Sequence, residues 1–183
     1  MSAMPVEKWK VLDSEYVVKR PWLTARRERV QLPNGQIHNE YYVLEYPTWV
    51  NVIAIRPDGR FVMIEQYRHG LGEVGIELSA GCAEEGEDPL DAAKRELAEE
   101  TGYTGGTWTL NCVISANPAT SNNLSYCYIA EGVTSTEKQH LDRTEDIAVR
   151  IFSREEVLEM LRSDKIKQAL MASSLWKYFF EHH

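Results

Sequence analysis

The feature that most constrains this chain is a glycine-containing loop that runs into a short acidic helix. Across positions 81–103 the residues are GCAEEGEDPLDAAKRELAEETGY. Asp88 is a good helix N-cap, Pro89 suits the first helical position, and Gly102 suits a left-handed C-terminal cap. The sequence therefore predicts a helix over 89–101 with a defined residue at each end.

The carboxylates of this helix gather on one side. At about 100° per residue, Glu96, Glu99 and Glu100 fall on one arc of the helix. The adjoining stripe is apolar and can face a core; it consists of Leu90, Ala93 and Leu97. Like charges one turn apart repel each other unless a cation lies between them. Carboxylates without histidine or thiolate favour Mg²⁺ or Mn²⁺ over zinc, so the helix predicts a divalent-metal site.

Arg95 lies on the same helix, one turn from both Asp91 and Glu99. Its guanidinium can orient either carboxylate, although an exposed ion pair on the surface explains the spacing equally well. For the glutamates, the corresponding alternative is a solvated acidic face. The spacing of the complete segment decides between these interpretations.

That spacing resembles the signature of the Nudix hydrolases. The signature has a glycine, five residues, a glutamate, seven residues and then Arg-Glu-aliphatic-x-Glu-Glu-x-Gly-aliphatic. The matching positions are Gly81, Glu87, Arg95, Glu96, Leu97, Glu99, Glu100 and Gly102. The last position, usually aliphatic, is Tyr103, and we expect this difference to change packing rather than chemistry.

The resemblance implies a metal site on the acidic helix, with Mg²⁺ as the expected cofactor and Mn²⁺ as a substitute. The side-chain ligands would be Glu96, Glu99 and Glu100. The main-chain carbonyl of Ala80 would complete the ligand set, and Arg95 and Glu99 would take part in catalysis. Glu87 would support the loop and the helix, with direct metal contact as the alternative. Cys82 is interpreted as a small filler residue.

The resemblance also implies a general base that takes a proton from the attacking water. In relatives that cleave nucleotide sugars, this base often comes from an acidic loop late in the chain, which residues 141–147 match. Glu145 is the first choice, Asp142 is the reserve, and Glu99 could serve if the loop stays open. The alternative is that these acids are solvated turn residues.

Three features outside the signature resemble the branch of the family that acts on ADP-ribose. They are Pro118, the Gln-Tyr-Arg run at 66–68 and the Glu-Leu-Ser-Ala-Gly run at 77–81. In that branch Arg68 would bind phosphate and Glu77 would line the cleft. Related chains often carry an acidic pair where this chain has Asn122 and Asn123, so recognition of the sugar end stays open.

The function implied is Mg²⁺-dependent hydrolysis of the diphosphate linkage of a nucleoside diphosphate sugar. ADP-ribose, cleaved to AMP and ribose 5-phosphate, is the leading substrate, and GDP-mannose or a UDP-sugar is the enzymatic alternative. A non-catalytic Nudix domain that senses ADP-ribose is the alternative from another class. Such domains can lose their catalytic acids, whereas this chain keeps them.

The order of the elements predicts a mixed α/β (α+β) protein. Strands are predicted at 24–32, 38–46, 48–55, 60–67, 107–114, 124–130 and 146–152. Helices are predicted at 154–162, capped by Ser153, and from near 165 past Trp176. This order matches the Nudix fold, an α/β/α sandwich with a mixed sheet. A Pro-Asn-Gly turn predicts a hairpin between the first two strands.

The N-terminal residues exceed what the catalytic fold needs. We therefore divide the chain into an N-terminal β segment, 1–46, and a Nudix hydrolase domain, 47–183. In relatives, strands of this kind form a small antiparallel sheet that builds a homodimer, so a homodimer is expected by analogy. Arg27, with Arg26 and Arg29, could reach a partner's substrate or form a solvated strand face. Aromatic residues that could stack on a base, or instead fill a core or interface, are Trp22, Tyr41, Tyr42 and Trp49.

The composition of the chain limits the classes of protein to which it can belong. A length of 183 residues with 43% apolar content can bury a core without disulfides, and the three cysteines fit reduced thiols in a cytoplasm. A net charge of −8 argues against nonspecific nucleic-acid binding. The sequence lacks a long apolar run or a signal peptide, so no membrane association is expected. The terminal Glu-His-His could be native or the remnant of a purification tag, and nothing is inferred from it.

Overall fold

The computed structural model describes residues 6–182. Along the chain, the strands are β1 (Lys10–Arg20), β2 (Leu23–Gln31), β3 (Ile37–Glu45), β4 (Trp49–Ile55), β5 (Phe61–Arg68), β6 (Glu73–Glu77), β7 (Ser79–Cys82), β8 (Tyr103–Thr104), β9 (Thr107–Ile114), β10 (Ser125–Glu131), β11 (Thr134–Ser135) and β12 (Ile147–Phe152). The helices are α1 (Pro89–Thr101), between β7 and β8, and α2 (Arg154–Arg162) and α3 (Ala169–Glu181), which follow β12. Within the described residues, no helix combines the length and apolar character needed to cross a membrane.

The first compact unit contains the described part of residues 1–46 together with residues 117–123. Its antiparallel sheet has the order β1-β2-β3, and Gly35, at φ 84°, lies in the predicted turn between β2 and β3. The segment 117–123 attaches to the end of β3, where the Leu44 N–H donates to the Thr120 carbonyl at 2.7 Å. The small antiparallel sheet predicted for this region is therefore present.

The second unit contains residues 47–116 and the described part of residues 124–183, and it is built on a seven-stranded mixed sheet. Its main strand order is β12-β5-β4-β10-β9; β6 pairs with β5, and β7 pairs with β4. The β4–β10 pair is parallel, whereas the other pairs are antiparallel.

Strand β4 shows why helices cover both faces of this sheet. Its alternate residues Val50, Val52 and Ala54 pack in the cluster that includes Ala93 and Leu97 of α1. The intervening residues Ile53 and Ile55 pack in a second cluster that contains side chains of α2 and α3. A strand whose residues are almost all apolar can bury both faces in this way. The α/β/α sandwich with a mixed sheet predicted from the sequence is confirmed.

Helix α1 begins and ends where its caps predict. The Asp88 carboxylate accepts a hydrogen bond from the Leu90 N–H at 2.8 Å, and Pro89 is the first helical residue. Gly102 adopts φ 72°, and its N–H donates to the Ala98 carbonyl. Because both ends are fixed, the three glutamates keep a defined position against β7, which contacts this helix.

The structure differs from the predicted elements in two places. Strands β1, β6, β7, β8 and β11 were not predicted. Strand β1 lacks a buried face in this chain, β6 and β7 are short and contain glycine, and β8 and β11 have two residues each. The prediction that the last helix begins near 165 was wrong, because α3 begins at Ala169. Gln168 is its N-cap, and its side-chain oxygen accepts from the Met171 N–H at 3.1 Å.

Candidate active site

The acidic face of α1 packs directly against the backbone of β7. The Ala80 N–H donates to the Glu100 carboxylate at 3.0 Å. A Cβ atom added at Gly81 would overlap the Glu96 carboxylate, so this carboxylate can keep its present position only beside a glycine. Two of the predicted ligands, Glu96 and Glu100, are therefore held beside the predicted main-chain ligand, Ala80.

Arg95 joins the loop, the helix and β7 through one guanidinium. Its Nε and Nη2 atoms donate to the two Glu87 carboxylate oxygens at 3.0 and 2.9 Å. Its Nη1 atom donates to Glu96 at 2.9 Å and to Glu99 at 3.1 Å, and Nη2 also donates to the Cys82 carbonyl at 3.0 Å. Arg95 thus orients Glu99, one of its two predicted partners.

Two residues named with Arg95 have local partners of their own. Asp91, the other predicted partner, is exposed and pairs with Lys94 at 3.3 Å. Glu87 also accepts a hydrogen bond from the Glu84 N–H at 2.8 Å. Its carboxylate therefore ties the loop before α1 to the helix through Arg95.

The buried carboxylates of the site resist ionisation. Burial raises the pKa of Glu100 to about 8, and the negative charges of Glu96 and Glu145 act in the same direction. Burial also raises the pKa of Glu96, against the opposing effect of Arg95. Glu100 is only 4% exposed, and no ion pair joins it to a basic side chain of residues 6–182. A buried carboxylate of this kind is stabilised in its charged form by a cation.

The residues present fit a hard divalent ion. The donor set consists of oxygens alone, which Mg²⁺ and Mn²⁺ prefer. Glu96 lies in a cradle beside Gly81 that a methyl group would fill. Across residues 6–182, no three His, Cys, Asp or Glu side chains are already gathered into a metal-holding group. Glu96 and Glu99 hydrogen-bond to Arg95, while Glu100 accepts from Ala80.

Replacing Gly81 by alanine is expected to weaken Mn²⁺ binding about tenfold, because the added methyl group displaces the Glu96 carboxylate from β7. Electron paramagnetic resonance titration of free Mn²⁺ measures the dissociation constant. The matched control is the same change in a Glu96→Ala background, where the clash is absent and no further weakening is expected. Unchanged affinity in the single Gly81→Ala variant would remove Glu96 from the ligand set.

A cleft of about 880 Å³ opens beside this site within the second unit. Strand β7 lines it with Ala80, Gly81 and Cys82, the same residues that the acidic helix contacts. Opposite walls come from the β5–β6 connection and from the segment that leads into α3. The polar and charged residues of these walls are Arg68, His69, Glu73, Glu77, Lys165, Lys167 and Gln168.

Arg68 and Glu77, both predicted to bind substrate, form a bidentate ion pair in this cleft. Arg68 Nε donates to Glu77 at 3.0 and 3.2 Å, and Nη2 donates at 2.7 Å. Glu77 is buried, whereas Arg68 stays partly exposed. The hydrogen bond to Glu77 raises the pKa of Arg68, so its positive charge is fixed. Glu77 thus holds the guanidinium at the cleft wall.

The sequence analysis missed a polar pair in the cleft lining. Asn51 lies on β4, directly opposite Ala80 on β7, and its Nδ2 atom donates to Ser125 Oγ on β10 at 3.3 Å. Both side chains are buried and line the cleft, and Asn51 Oδ1 has no hydrogen-bond partner among the described protein atoms. A single amide within the otherwise apolar run of β4 was the signal that could have identified Asn51.

The acidic loop brings Glu145 near the site, and Asp142 shares its turn. The Asp142 N–H donates to the Glu145 carboxylate at 3.0 Å, and the Glu145 N–H donates to the Asp142 carbonyl at 2.9 Å. The charge of Glu145 contributes to the raised pKa of both Glu100 and Arg68. Glu145 is half-buried, while Asp142 is exposed. Of the two candidate bases, Glu145 is the one whose charge acts on the site.

Two predicted substrate residues belong to the first unit and do not line this cleft. Pro118 lies in an exposed turn. Arg27 forms ion pairs with Glu15 and, at 3.4 Å, with Glu40, so glutamates of its own sheet balance its charge. Arg26 likewise pairs with Glu28 and Glu45.

The predicted aromatic residues are also divided between the two units. Trp49 lines the cleft of the second unit. Trp22, Tyr41 and Tyr42 lie in the first unit, where Trp22 is 90% exposed and Tyr41 packs edge-on against Trp9. The Tyr41 hydroxyl also donates to the Ala119 carbonyl. Stacking on a substrate base stays a prediction for all four.

Comparison with known proteins bears on the family and on the fold of this chain. A family model described as "Nucleoside diphosphate sugar hydrolase N-terminal domain" matches residues 9–44, and one described as "NUDIX domain" matches residues 45–172. An ADP-ribose pyrophosphatase of Bacillus subtilis is 32% identical over 91% of this chain and 90% of its own length. A methanol dehydrogenase activator of Bacillus methanolicus is 31% identical over 86% of this chain and 85% of its own length.

A solved structure described as an ADP compounds hydrolase has a similar fold. It aligns with a TM-score of 0.84 over 96% of this chain and 95% of its own length. The sequence identity is 21%, so this likeness concerns the fold.

Proposed function

Since the chain belongs to the Nudix family of pyrophosphohydrolases, we propose that it hydrolyses ADP-ribose to AMP and ribose 5-phosphate in an Mg²⁺-dependent reaction. The observation that carries this proposal is the double role of β7. Its residues 80–82 contact the acidic helix and also line the cleft. A diphosphate bound along β7 would therefore lie beside the carboxylates. The Bacillus subtilis relative supports ADP-ribose as the preferred nucleoside diphosphate sugar.

The charged walls of the cleft fit an anionic substrate. Arg68, fixed by Glu77, presents a guanidinium suited to bidentate binding of phosphate. Lys165 and Lys167 also line the cleft. Glu77 pairs with Arg68 and Glu73 pairs with Lys167, whereas no ion pair joins Lys165 to another described residue. Arg68, Lys165 and Lys167 thus offer donors to an anionic substrate, and the charge of Lys165 is the unbalanced one. The diphosphate would lie between them and the acidic helix.

The carboxylates of α1 would hold the divalent ion. Glu96, Glu99 and Glu100 are the proposed side-chain ligands, with the Ala80 carbonyl as the main-chain ligand. When bound, such an ion supplies charge neutralisation for the diphosphate and lowers the pKa of water. Arg95 positions Glu96 and Glu99 through its hydrogen bonds.

Glu145 is the proposed general base. Its carboxylate would accept a proton from the attacking water as the water oxygen bonds to one phosphorus atom. The bond from that phosphorus to the bridging oxygen would break, so that AMP and ribose 5-phosphate separate. Asp142 is the reserve, and Glu99 is the alternative within the helix. Arg68 would meanwhile keep the diphosphate oriented for attack.

The base assignment predicts different pH profiles for two variants. Glu145→Gln is expected to lower kcat about 10²-fold and to flatten the acidic limb of the pH–rate profile, because the group that must lose its proton is gone. Asp142→Asn, in the same turn, is the matched control and should keep the limb. Stopped assays of kcat across pH measure both. A normal acidic limb in Glu145→Gln would transfer the role to another carboxylate.

The function itself is tested with the purified chain, Mg²⁺ and a substrate panel. The panel contains ADP-ribose, GDP-mannose, UDP-glucose, NADH and diadenosine polyphosphates, and the nucleoside monophosphate released from each is measured. Preferred release of AMP from ADP-ribose supports the proposal. Preference for GDP-mannose or UDP-glucose would support diphosphate hydrolysis but would replace ADP-ribose as the proposed substrate. Tight binding of ADP-ribose without turnover would instead indicate a sensing domain.

We further propose that the first unit, the N-terminal β segment, forms a homodimer. This unit exposes many large apolar side chains on and beside its sheet: Trp9, Val11, Tyr16, Val17, Val18, Trp22, Leu23, Ile37 and Tyr42. A concentration of exposed apolar side chains is typical of protein interfaces. The family model that matches residues 9–44 supports an element distinct from the catalytic domain.

Multi-angle light scattering is expected to give twice the 21.0 kDa mass of the chain. Val11→Glu should shift the mass toward the monomer, because a charge then enters the apolar surface. Leu110→Glu, which changes an exposed apolar residue of the second unit, is the matched control and should leave the mass unchanged. A monomeric mass for the unmodified chain would contradict the proposal.

A further inference from the structure

Two of the three cysteines face each other across neighbouring strands. Cys112 on β9 is directly opposite Cys127 on β10 in their antiparallel pairing. Directly opposed residues point to the same face, with Cβ atoms about 4.5–5.5 Å apart. A disulfide requires a Cβ separation of about 3.5–4.5 Å. An approach of about 1 Å therefore brings these two sulfurs within bonding distance.

The surroundings of the two thiols differ. Cys127 is fully buried, whereas Cys112 is partly accessible. Asn111 Nδ2 lies 3.7 Å from Cys127 Sγ, and Cys112 Sγ lies 3.6 Å from Ser174 Oγ on α3. These contacts hold both sulfurs between the sheet and α3. Reagents in solution can thus approach Cys112 before Cys127.

The charge distribution also favours Cys112 as the reactive thiol. A hydrogen bond from the Cys127 thiol lowers the pKa of Cys112, and Ser174 and Lys177 add to this effect against burial and the charge of Glu181. Burial raises the pKa of Cys127. Since thiolates are the nucleophilic form, Cys112 is suited to react first and Cys127 to react second.

We propose that Cys112 and Cys127 form a peroxide-sensitive pair that closes to a cross-strand disulfide. The Cys112 sulfur attacks a peroxide oxygen, the oxygen–oxygen bond breaks, and Cys112 becomes a sulfenic acid as the first water forms. The Cys127 sulfur then attacks the Cys112 sulfur and displaces its hydroxyl group as the second water. Two thiols and one hydrogen peroxide molecule thus give one disulfide and two waters.

Cys82 serves as an internal control for this chemistry. It lies on β7, away from the other two cysteines in the sheet, and pairs across the strands with Trp49. Burial and the charge of Glu96 raise its pKa. It therefore lacks both the neighbouring thiol and the lowered pKa of Cys112, and we expect it to stay reduced.

The test treats the full chain with hydrogen peroxide, alkylates the remaining thiols in denaturant and digests with trypsin. Both proposed partners fall on the tryptic peptide 96–138, and Cys82 falls on the peptide 69–94. The first peptide is expected to lose the mass of two hydrogen atoms and to take no alkyl group, whereas the second is alkylated. Further cleavage after Leu124 or Tyr126 should leave its two halves joined until a reductant is added.

Variants separate this disulfide from other oxidation products. Cys112→Ser and Cys127→Ala should each abolish the loss of two hydrogens, and Cys82→Ser should retain it. If the buried Cys127→Ala substitution prevents folding, the half-buried Cys112→Ser variant gives the same information. Sulfinic or sulfonic acid on Cys112 with alkylated Cys127 would overturn the proposal. A disulfide that involves Cys82, or one that joins two chains, would overturn it as well.

Discussion

Replacing Glu100 by glutamine is expected to lower kcat about 10³-fold while the fold stays intact. Such a loss corresponds to about 4 kcal/mol of transition-state stabilisation, within reach of a lost ligand to a catalytic metal ion. Glutamine preserves the side-chain oxygen that accepts from the Ala80 N–H, so the contact with β7 can persist. Initial rates with saturating Mg²⁺ and ADP-ribose measure the effect.

Asp91→Asn is the matched control for this substitution. Asp91 lies on the same helix but is exposed and pairs only with Lys94 among the contacts in the described chain. Its replacement should change kcat less than about threefold, since exposed pairs contribute little. Near-normal turnover in Glu100→Gln would exclude Glu100 from the metal site.

The same variant should change how stability depends on pH in the metal-free protein. Burial raises the pKa of Glu100 from 4.5 to about 8. The stability that the protonated side chain contributes is therefore fully present below pH 4.5, the pKa of this group in the unfolded chain, and it is lost as the pH rises toward 8. Glutamine does not ionise, so Glu100→Gln should gain stability relative to wild type across this window, by a few kcal/mol at most.

Urea unfolding in EDTA at several pH values measures this difference. Comparison of the two proteins at each pH cancels titration of groups that they share. A constant difference between pH 4.5 and 8 would show that Glu100 does not carry the raised pKa. Addition of Mn²⁺ should then stabilise wild type more than the variant, because the ion binds the folded carboxylate.

Arg95→Lys is the second substitution with a large expected effect. It should lower the unfolding free energy by about 2 kcal/mol and kcat/KM about 10²-fold. An ammonium cannot reproduce the planar fork that reaches Glu87, Glu96, Glu99 and the Cys82 carbonyl together. The loop before α1 then loses its tie to the helix, and two proposed ligands lose their positioning residue.

Urea denaturation and steady-state kinetics measure the two effects separately. Arg150→Lys is the matched control, because Arg150 pairs with Glu65 at a more exposed position. That change should alter stability by less than about 0.5 kcal/mol. Wild-type stability in Arg95→Lys would show that the hydrogen bonds of Arg95 do not hold the loop.

Helix α1 could be predicted from the sequence because the residues that determine its two ends lie next to it in the sequence. Its start depends on the Asp88 side chain and its end on the backbone freedom of Gly102. The burial of β4 on both faces could likewise be inferred, since a nearly continuous apolar strand needs cover on both sides. The α/β/α sandwich follows from these patterns and from the order of the elements.

Features that depend on pairing between residues distant in the sequence were harder to predict from the sequence. Strands β6 and β7 are defined by their hydrogen bonds to β5 and β4, not by composition. The start of α3 depends on the capping side chain of Gln168, a residue that is not among the usual N-caps. Asn51 reaches the cleft because β4 lies beside β7 and β10, a relation that its neighbours in sequence do not reveal.

The site residues divide in the same way. The signature spacing placed Glu96 and Glu100 on one arc, and the structure brings both to β7. That Glu77 holds Arg68 could not be foreseen, because the strand register places Arg68 opposite Glu73 and Glu77 opposite Ile64. The roles of Glu145, Pro118 and Arg27 stay predictions.

The contact between Ala80 and Glu100 limits what scanning mutagenesis can detect in this site. Ala80 takes part through its main-chain N–H, and its own side chain is a methyl group. Scanning mutagenesis that truncates side chains cannot remove this hydrogen bond, so position 80 would be recorded as tolerant. An amide-to-ester replacement between Ser79 and Ala80, introduced by semisynthesis, deletes the N–H alone. Backbone chemistry is therefore the way to measure what this position contributes.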